Sequence, residues 1–233
     1  MTPQFLLGRQ VALENSEPSR LIMFSDFLNR KTTYATELRD FHEWHKGIEH
    51  FGFWAIEVTG SDCLEKIRSH QEYLSDRLHP GYLRQPHITL ALAGLLKDAP
   101  SLAPSIIKNI EQLEAANLRA FPLQLARCNS FATCPYLEIA DPNGYLNSVR
   151  SCLASAEHKQ NPNTYTPHVT LGFYNQAHPT SRIVEELSGI LLPDIEFMVD
   201  EIVFAQYKTK DVQGLYEVLH RIKLGRQVTS VGS

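Results

Sequence analysis

The hydrophobic and polar positions of the chain follow two periods, one typical of β-strands and one typical of amphipathic helices. Residues 51–58 (FGFWAIEV) form the first run with strand character, and a helical pattern at residues 61–78 separates it from a second strand at residues 86–93. The order then repeats, with strands predicted at residues 121–127, 136–140, 167–174, 195–208 and 215–223 and helices at residues 101–118, 145–158 and 182–190. Strand, helix, strand therefore occurs twice along the chain.

The residues outside this double pattern divide the chain into three parts. Residues 1–50 have a mixed polar pattern with helical stretches at residues 21–29 and 36–46, which predicts a mainly helical N-terminal extension. Residues 51–224 form the predicted core, and residues 225–233 (GRQVTSVGS) are expected to be a loose tail.

A five-residue motif recurs within the core. Pro86-His87-Ile88-Thr89-Leu90 returns as Pro167-His168-Val169-Thr170-Leu171, and the interval between the two histidines is 168 − 87 = 81. Four of the five positions are identical, and each copy follows a helix and a polar loop and opens an apolar strand. An internal repeat with this shared context predicts two pseudo-symmetric halves rather than a chance match.

Strand alternation predicts how each copy is presented. The histidine and the threonine lie two positions apart, so they share one face of the strand, while the apolar residues between them lie on the other face. Continuing the alternation, we expect Ala91 and Ala93 on the histidine face of the first copy and Gly172 on that of the second. The surface beside each imidazole would then be shallow enough to hold a ligand.

The paired motif carries chemistry as well as symmetry. Histidine titrates near pH 6.5, so His87 and His168 can take and give protons at neutral pH. The hydroxyls of Thr89 and Thr170 can each donate a hydrogen bond to an oxygen held between the histidines. This combination suits phosphodiester transfer, in which one histidine deprotonates the attacking hydroxyl or water and the other protonates the leaving oxygen. The sequence does not determine which histidine is the base.

The motifs His87-Ile88-Thr89-Leu90 and His168-Val169-Thr170-Leu171 resemble the paired H-x-T/S-x motifs of the two-histidine (2H) phosphoesterase superfamily, which includes LigT-like RNA 2′,3′-cyclic phosphodiesterases and 2′-5′ RNA ligases. The resemblance covers about residues 51–224. It implies an α+β, bilobal fold with two pseudo-symmetric lobes, whose antiparallel sheets face each other across a central cleft. It also implies a metal-independent phosphodiesterase without a cofactor, acting on a 2′,3′-cyclic phosphate or a 2′,5′-type bond.

Four further residues are candidate substrate contacts. Tyr174 lies on the same predicted face as His168 and could stack on a base, and Arg84 precedes the first motif closely enough to face the cleft. Tyr207 and Lys208 end a predicted strand and combine an aromatic ring with a cation, which suits a base and a phosphate. A solvated hairpin end is the alternative interpretation of Tyr207 and Lys208.

Three histidines in the segment FHEWHKGIEH invite a metal interpretation. His42 and His45 are three residues apart and would share a helical face, with His50 further on. The spacing is HExH rather than HExxH, and no downstream ligand is evident. We therefore predict no metal site and interpret the segment as an amphipathic surface helix.

Composition and charge limit the kinds of molecule that the protein is expected to bind. The chain has 233 residues, 43% of them hydrophobic, so it can bury a core without disulfides or metals. Lys and Arg number 22 against 26 Asp and Glu, a net charge of −4. Long duplex nucleic acid normally selects a basic surface, so it is disfavoured as a partner, whereas the small nucleotide or short RNA that the resemblance implies is compatible with this charge.

Location follows from what the sequence lacks. The apolar stretch at residues 5–7 is too short for a signal-peptide core, and the longest apolar run, residues 88–96, is too short to span a membrane. The four cysteines show no CxxC spacing and are expected to be free thiols. These features predict a cytoplasmic protein without a membrane partner. The oligomeric state stays open, with a monomer slightly favoured.

Two alternatives to hydrolysis remain at this point. A non-catalytic protein that binds nucleotides or RNA ends would keep the phosphate cradle, although binding alone would not require a pair of proton-transfer groups. A 2′-5′ RNA ligase would run the reverse reaction in the same site, but the sequence shows no P-loop or ATP-binding lysine motif to drive it.

Overall fold

A computed structural model describes residues 27–97, 102–153, 165–190 and 192–225. The main helices are α1 (His42–His45), α2 (Ser61–Tyr73), α3 (Pro104–Ala115), α4 (Tyr145–Leu153) and α5 (Thr180–Gly189), with a 3₁₀ turn at Ser75–Arg77. The strands are β1 (His50–Glu57), β2 (His87–Leu96), β3 (Phe121–Ser130), β4 (Pro135–Ala140), β5 (His168–Thr170), β6 (Ile195–Val199), β7 (Glu201–Lys208) and β8 (Tyr216–Lys223). None of the described helices is long and apolar enough to cross a bilayer.

The strands form two four-stranded sheets in which every pair is antiparallel. The first sheet has the order β2-β1-β7-β8, and the second has the order β5-β4-β3-β6. The strands that carry the repeated motif, β2 and β5, are therefore edge strands in equivalent places, and they adjoin each other where the sheets meet. The predicted α+β class with two antiparallel sheets is confirmed.

The helices exchange partners between the two halves of the sequence. Helices α3 and α4 pack under the first sheet, against β8 and β2, whereas α2 and α5 pack under the second sheet, against β6 and β3. One main hydrophobic core runs beneath both sheets. Lys66 of α2 reinforces this arrangement, because its buried ammonium group donates to the carbonyl oxygens of Leu125 (2.9 Å) and Pro193 (2.7 Å).

Three predicted elements differ from the observed ones. The single strand predicted at residues 195–208 is two strands, β6 and β7, which separate at Asp200 and join different sheets. The strand predicted at residues 167–174 is confined to His168–Thr170. The helix predicted at residues 145–158 is observed to Leu153, and the rest of that range lies outside the described residues.

A β-bulge changes which residues of β2 face the cleft. Strand β1 pairs Thr89 and Ala91 with consecutive residues, so Leu90 is an extra residue on β2 and the alternation reverses after it. Ala91 and Ala93 consequently pack against the main core, and Leu92 takes the cleft side. The expectation that both alanines share the face of His87 and Thr89 is wrong for this reason.

The described part of the N-terminal extension, residues 27–49, is mostly without regular secondary structure, and we call it the strap. The predicted helix at residues 36–46 is reduced to the four residues of α1, and most of the helix predicted at residues 21–29 lies outside the described residues. Outside the turns at its two ends, the strap backbone bonds to the second half of the chain. The amide of Thr33 donates to the carbonyl of His178 (2.9 Å), and the amide of Tyr34 donates to that of Ala132 (2.7 Å).

The other end of the strap reaches the first sheet. Thr209, just after β7, donates from its amide to the carbonyl of Glu49 (2.9 Å) and from its hydroxyl to that of Ile48 (2.7 Å). The indole ring of Trp44 packs on Phe51 with 5.6 Å between ring centroids. The strap therefore connects loops of the second sheet to the end of the first. The tail after residue 225 lies outside the described residues.

Candidate active site

The two motif histidines are held in the same way. The Nδ1–H of His87 donates to the carbonyl of Gln85 (2.8 Å), and that of His168 donates to the carbonyl of Thr166 (2.7 Å). A carbonyl oxygen only accepts hydrogen bonds, so Nδ1 carries the proton in both rings and the neutral ring presents a free lone pair on Nε2. Two half-buried imidazoles thus offer equivalent nitrogens for proton transfer.

Both imidazoles are kept neutral in the free protein. Burial lowers the pKa of His87 to about 4; the hydrogen bond to Gln85 opposes this effect, and the positive charge of Arg84 adds to it. Burial also lowers the pKa of His168. The motif strands β2 and β5 adjoin each other, so a proton on either ring would disfavour a proton on the other. Both rings are therefore in the form that accepts a proton at neutral pH.

Each imidazole is packed between two aromatic side chains. The ring centroids of these neighbours lie 4.9 to 5.3 Å from the histidine ring, mostly in tilted or edge-on arrangements. The neighbours are Phe53 and Tyr216 for His87, and Phe131 and Tyr136 for His168. These contacts remove water from the rings and fix their orientation, which explains the burial that lowers both pKa values.

A glutamate lies across from each histidine on the neighbouring strand. Glu57 of β1 is the cross-strand partner of His87, and Glu138 of β4 is the cross-strand partner of His168. Directly opposed residues share a sheet face, so both carboxylates lie on the cleft side. The interval between the glutamates equals the interval between the histidines (138 − 57 = 81). The sequence analysis missed this pair, although extending the repeat comparison into the preceding strands would have found it.

The two glutamates are held by different groups. Glu57 accepts a hydrogen bond from the hydroxyl of Tyr216 (3.0 Å) and forms an ion pair with Arg221 (2.6 Å). Arg221 also forms an ion pair with Glu201 (2.5 Å). On the second sheet, Glu138 has a different pair of donors.

The side-chain amide of Asn129 donates to one carboxylate oxygen of Glu138 (2.7 Å), and the Nε of Arg127 donates to the other (3.1 Å). The Glu138 side chain is 9% exposed, whereas the Arg127 side chain is 67% exposed. The carboxylate of Glu138 is therefore fixed beside His168, and the guanidinium group of Arg127, which is bonded to it, is largely exposed to solvent.

The motif threonines also lie on the cleft side but differ in their surroundings. The hydroxyl of Thr170 is within hydrogen-bonding reach of the Cys134 thiol, whose pKa burial raises to about 12. Thr89 has no side-chain hydrogen bond with any described residue. Both hydroxyls are half-buried and able to donate to a bound oxygen.

Comparison with known proteins agrees with this geometry. A family model described as the 2′-5′ RNA ligase superfamily matches residues 56–211, which contain both motifs and both glutamates. The chain belongs to the 2′-5′ RNA ligase superfamily. This confirms the predicted membership of the 2H phosphoesterases. None of the curated proteins compared is a significant match.

Solved structures show the superfamily fold at low sequence identity. Escherichia coli LigT complexed with 3′-AMP is 17% identical, with 76% of this chain and 98% of LigT covered and a TM-score of 0.53. A structure described as a phosphoesterase is 18% identical, covering 76% and 99% with a TM-score of 0.53. The protein TT0787 of Thermus thermophilus is 14% identical, covering 76% and 99% with a TM-score of 0.52. The predicted LigT-like fold is confirmed.

Arg84 borders the superfamily site, as the sequence analysis considered. Its guanidinium group lies over the ring of Tyr207, 4.2 Å from the ring centroid. It also donates to the backbone carbonyls of Gly214 (3.1 Å) and Asp211 (3.2 Å). Arg84 is therefore a fixed positive charge on the His87 side of the cleft, close enough to contribute to the lowered pKa of His87.

Tyr207 and Lys208 do not form the predicted pair of substrate contacts. Tyr207 is only 8% exposed, because its ring is stacked on Phe51 (5.4 Å) and covered by Arg84. It leaves no face open for a base. Lys208 is exposed, but strand alternation places it on the side of the first sheet opposite to Tyr207.

Tyr174 is also a correction. It is fully buried in the main core, and its hydroxyl is hydrogen bonded to that of Ser130 (2.7 Å). The prediction extended strand alternation from His168 to residue 174, whereas β5 ends at Thr170. Alternation no longer applies beyond that point, so Tyr174 packs into the core instead of facing the cleft.

Two tyrosines missed by the sequence analysis lie between the lobes. Tyr82, in the loop before β2, packs edge-on against Phe173 of the second motif strand region (5.7 Å between centroids). Burial raises the pKa of Tyr82 to about 12, so its hydroxyl stays protonated. Tyr165 donates from its hydroxyl to the carbonyl of Thr89 (2.8 Å). Tyr82 therefore connects the loop before β2 to the segment after β5, and Tyr165 connects the loop before β5 to β2.

The histidines of the strap have structural partners. His45 is 5% exposed; its Nδ1 accepts from the amide of Gly47 (3.1 Å), and its Nε2 donates to Asp40 (2.5 Å). His42 is exposed and lies edge-on to His45. Within the described ranges, no three His, Cys, Asp or Glu side chains are grouped so that they could hold a metal ion.

Proposed function

We propose that the protein is a metal-independent phosphodiesterase that cleaves a 2′,3′-cyclic phosphate or a 2′,5′-type phosphodiester of a short RNA end or small nucleotide. The observation that carries the proposal is the matched presentation of His87 and His168. Each is locked through Nδ1 to a backbone carbonyl, presents Nε2 to one cleft, and has a threonine hydroxyl two residues further on. Such a pair suits general acid–base catalysis.

In the proposed reaction, one Nε2 takes a proton from the attacking water as its oxygen bonds to phosphorus. The bond from phosphorus to the leaving ribose oxygen breaks, and the other histidine gives that oxygen a proton. The hydroxyls of Thr89 and Thr170 donate to the nonbridging oxygens, where negative charge increases in the transition state. With a cyclic phosphate the product is a monoester on the 2′ or the 3′ oxygen.

The lowered pKa values fit this reaction if substrate binding raises the pKa of one imidazole, so that this imidazole takes up a proton from the solvent. Burial keeps both imidazoles neutral in the free protein. A bound phosphodiester brings a negative charge between them, which favours the charged form of a nearby imidazole and raises its pKa. One histidine then becomes protonated and acts as the acid, while the other stays neutral and acts as the base.

The surroundings favour a short substrate. The glutamates nearest the histidines are matched by Arg221 and Arg127, and the whole chain has a net charge of −4. Long nucleic acids depend on an extended basic surface for affinity. We therefore expect recognition of one nucleotide or a few, with no metal or other cofactor.

A substrate panel tests the proposal. The purified protein, with EDTA present, is incubated with 2′,3′-cyclic mononucleotides, 2′,5′- and 3′,5′-linked dinucleotides, and cyclic dinucleotides, and the products are identified by chromatography. We expect a monoester from the cyclic phosphate or cleavage of the 2′,5′ bond. Binding without turnover would replace the proposal with a binding function, joining of RNA ends would favour the ligase direction, and loss of activity with EDTA would contradict metal independence.

A further inference from the structure

Arg127 is placed in the cleft by a bulge in β3. Leu125 pairs with Ile139 and Cys128 with Leu137, so Ala126 and Arg127 together oppose the single residue Glu138. Ala126 is buried, and the Arg127 side chain turns toward the carboxylate of Glu138. Bulges commonly redirect a side chain next to a functional site. Here the redirected side chain is a guanidinium group on the cleft side of the second sheet.

The guanidinium group is held on one edge and open on the other. Its Nε donates to Glu138, whose second oxygen is occupied by Asn129. Its two terminal NH₂ groups have no hydrogen-bond partner among the residues that the structure describes, and the side chain is 67% exposed. The open edge of an arginine oriented in this way matches two oxygens of a phosphate.

The other two arginines beside the histidines are less available. Arg221 forms ion pairs with both Glu57 (2.6 Å) and Glu201 (2.5 Å), and Arg84 is stacked on Tyr207 and bonded to two backbone carbonyls. Arg127 has a single carboxylate partner. Among these three, it is the group best placed to meet an anion from the substrate.

The place of Arg127 relative to His168 indicates which anion it would meet. Glu138 is the cross-strand partner of His168, and Arg127 lies one strand further across the sheet. Adjacent strands are about 4.8 Å apart, so the backbone of Arg127 lies roughly 10 Å from that of His168. Because the guanidinium group is anchored on Glu138 and not on His168, its open edge is offset from the phosphate between the histidines toward β3, where a neighbouring phosphate of the same short chain would lie.

We infer that Arg127 binds a second phosphate of the substrate, the one on the 5′ side of the nucleotide whose phosphodiester is cleaved. The inference rests on the proposed function and narrows its substrate class. It favours a short RNA end with a terminal cyclic phosphate, or a cyclic nucleotide with a 5′-phosphate, over a cyclic mononucleotide without one. The second phosphate is an internucleotide diester in the first case and a terminal monoester in the second.

The test compares substrates that differ in this phosphate. Rates are measured for the wild type, R127Q and R127K on a cyclic mononucleotide, the same nucleotide with a 5′-phosphate, and a dinucleotide ending in a cyclic phosphate. For R127Q we expect the ratio of kcat/KM between a substrate with the second phosphate and the one without it to fall about tenfold, mainly through KM, because a change at Glu138 would act on all the substrates alike. R127K, which keeps the charge but not the planar fork, should fall in between.

Arg182 provides a matched control. Its side chain is 65% exposed and has one carboxylate partner, Glu186 (3.3 Å), but it lies on α5, on the opposite side of the second sheet. R182Q should show the same substrate preference as the wild type. The ratio between two substrates within one variant does not depend on the fraction of protein that is folded, so a loss of stability in R127Q would not mimic the expected result.

Binding separates failure of the inference from failure of the proposed function. The probe is a dinucleotide with a 3′-phosphate, with the corresponding 3′-mononucleotide as the comparison, and the salt dependence of Kd is measured. R127Q should weaken binding of the dinucleotide alone and lower its salt slope by about one. If no substrate is turned over but this selective loss occurs, the inference holds and the proposed function fails. Equal effects on both ligands, or none on either, would overturn the inference.

Discussion

The two sheets present the same reactive group in the same way but surround it differently. Each histidine opens an edge strand, donates from Nδ1 to the carbonyl two residues before it, and faces a glutamate on the next strand. Beyond these shared features, the cleft side of the first sheet is apolar and aromatic. It carries a second, smaller hydrophobic cluster formed by Phe51, Phe53, Ala55, Val203, Ala205, Tyr207 and Tyr216.

The second sheet carries different side chains at positions that the repeat relates to the first. Asn129, Glu138 and Arg127 form a connected hydrogen-bonded group beside His168. The repeat interval leads from Phe53 to Cys134 (134 − 53 = 81) and from Arg84 to Tyr165 (165 − 84 = 81). The features that repeat are those that hold a proton-transfer group, and those that differ are the ones that would meet the rest of an asymmetric substrate.

The largest expected effect tests whether the two histidines are equivalent in importance. His87→Ala and His168→Ala should each lower kcat by roughly 10²–10⁴, because each removes a proton-transfer group. Turnover of the best substrate from the panel, with EDTA present, measures the effect. His42→Ala, at an exposed position of the strap, is the control and should keep wild-type activity. Full activity in either motif variant would remove that histidine from the mechanism.

A smaller effect is expected at the threonines, where the lobes already differ. Thr89→Val and Thr170→Val each remove one donor to the nonbridging oxygens, and we expect kcat to fall roughly 10²-fold. Thr89→Ser and Thr170→Ser keep the hydroxyl and should recover most of the rate. Because the hydroxyl of Thr170 also has Cys134 within reach, we expect Thr89→Val to lose at least as much as Thr170→Val. The reverse order would show that the thiol contact positions Thr170 instead of competing for it.

The shared features of the lobes could be predicted from sequence, and most of the differences could not. His87, Thr89, His168 and Thr170 occur in an almost identical five-residue motif, so the repeat identified them directly. Glu57 and Glu138 repeat at the same interval but as single matches in unlike strands, which is why comparing the motif alone missed them.

Predictions that needed alternation over more than a few residues failed for physical reasons. A bulge reverses the faces after Leu90, and β5 ends before Tyr174. Both events depend on how a neighbouring strand pairs, which local sequence does not specify. The change of sheet at Asp200 had no Gly or Pro to mark it. Arg127 was missed because its role depends on a bulge opposite Glu138.

The strap offers a comparison of stability between its two ends. At the second sheet, the fully buried hydroxyl of Thr33 accepts from the amide of His178 (2.9 Å), so Thr33→Val leaves a buried donor unpaired and should cost about 1–3 kcal/mol. At the first sheet, Thr209→Val removes a bond to the carbonyl of Ile48 (2.7 Å) and should cost about 1 kcal/mol.

Urea unfolding of both variants measures the difference, provided that the slope of free energy against urea is unchanged. Thr33→Ser and Thr209→Ser keep the hydroxyl and serve as controls for the size of the side chain. A larger loss at Thr209 than at Thr33 would contradict the expectation that leaving the buried amide of His178 unpaired costs more than losing the bond to the carbonyl of Ile48.

A last expected effect is on the pH dependence of stability, and it separates the two histidines. In the unfolded chain histidine titrates near pH 6.5, whereas burial lowers the pKa of His87 to about 4 in the folded protein. Between these values the unfolded chain binds more protons than the folded one, so the free energy of unfolding decreases as the pH falls from about 6.5 toward 4. Above pH 6.5 neither state binds this proton, and His87 contributes no pH dependence.

Replacing His87 with Gln should therefore flatten the decrease in stability between pH 6.5 and 5, by at most about 1.4 kcal/mol per pH unit. His168→Gln should flatten it less, because Arg84 adds to the effect of burial at His87 and no arginine does so at His168. Urea unfolding of the wild type and both variants at several pH values tests this, and the window lies above the range where most carboxylates titrate. Equal slopes in all three proteins would mean that folding leaves the pKa values of both imidazoles unchanged, and burial would then not be what keeps them neutral in the free cleft.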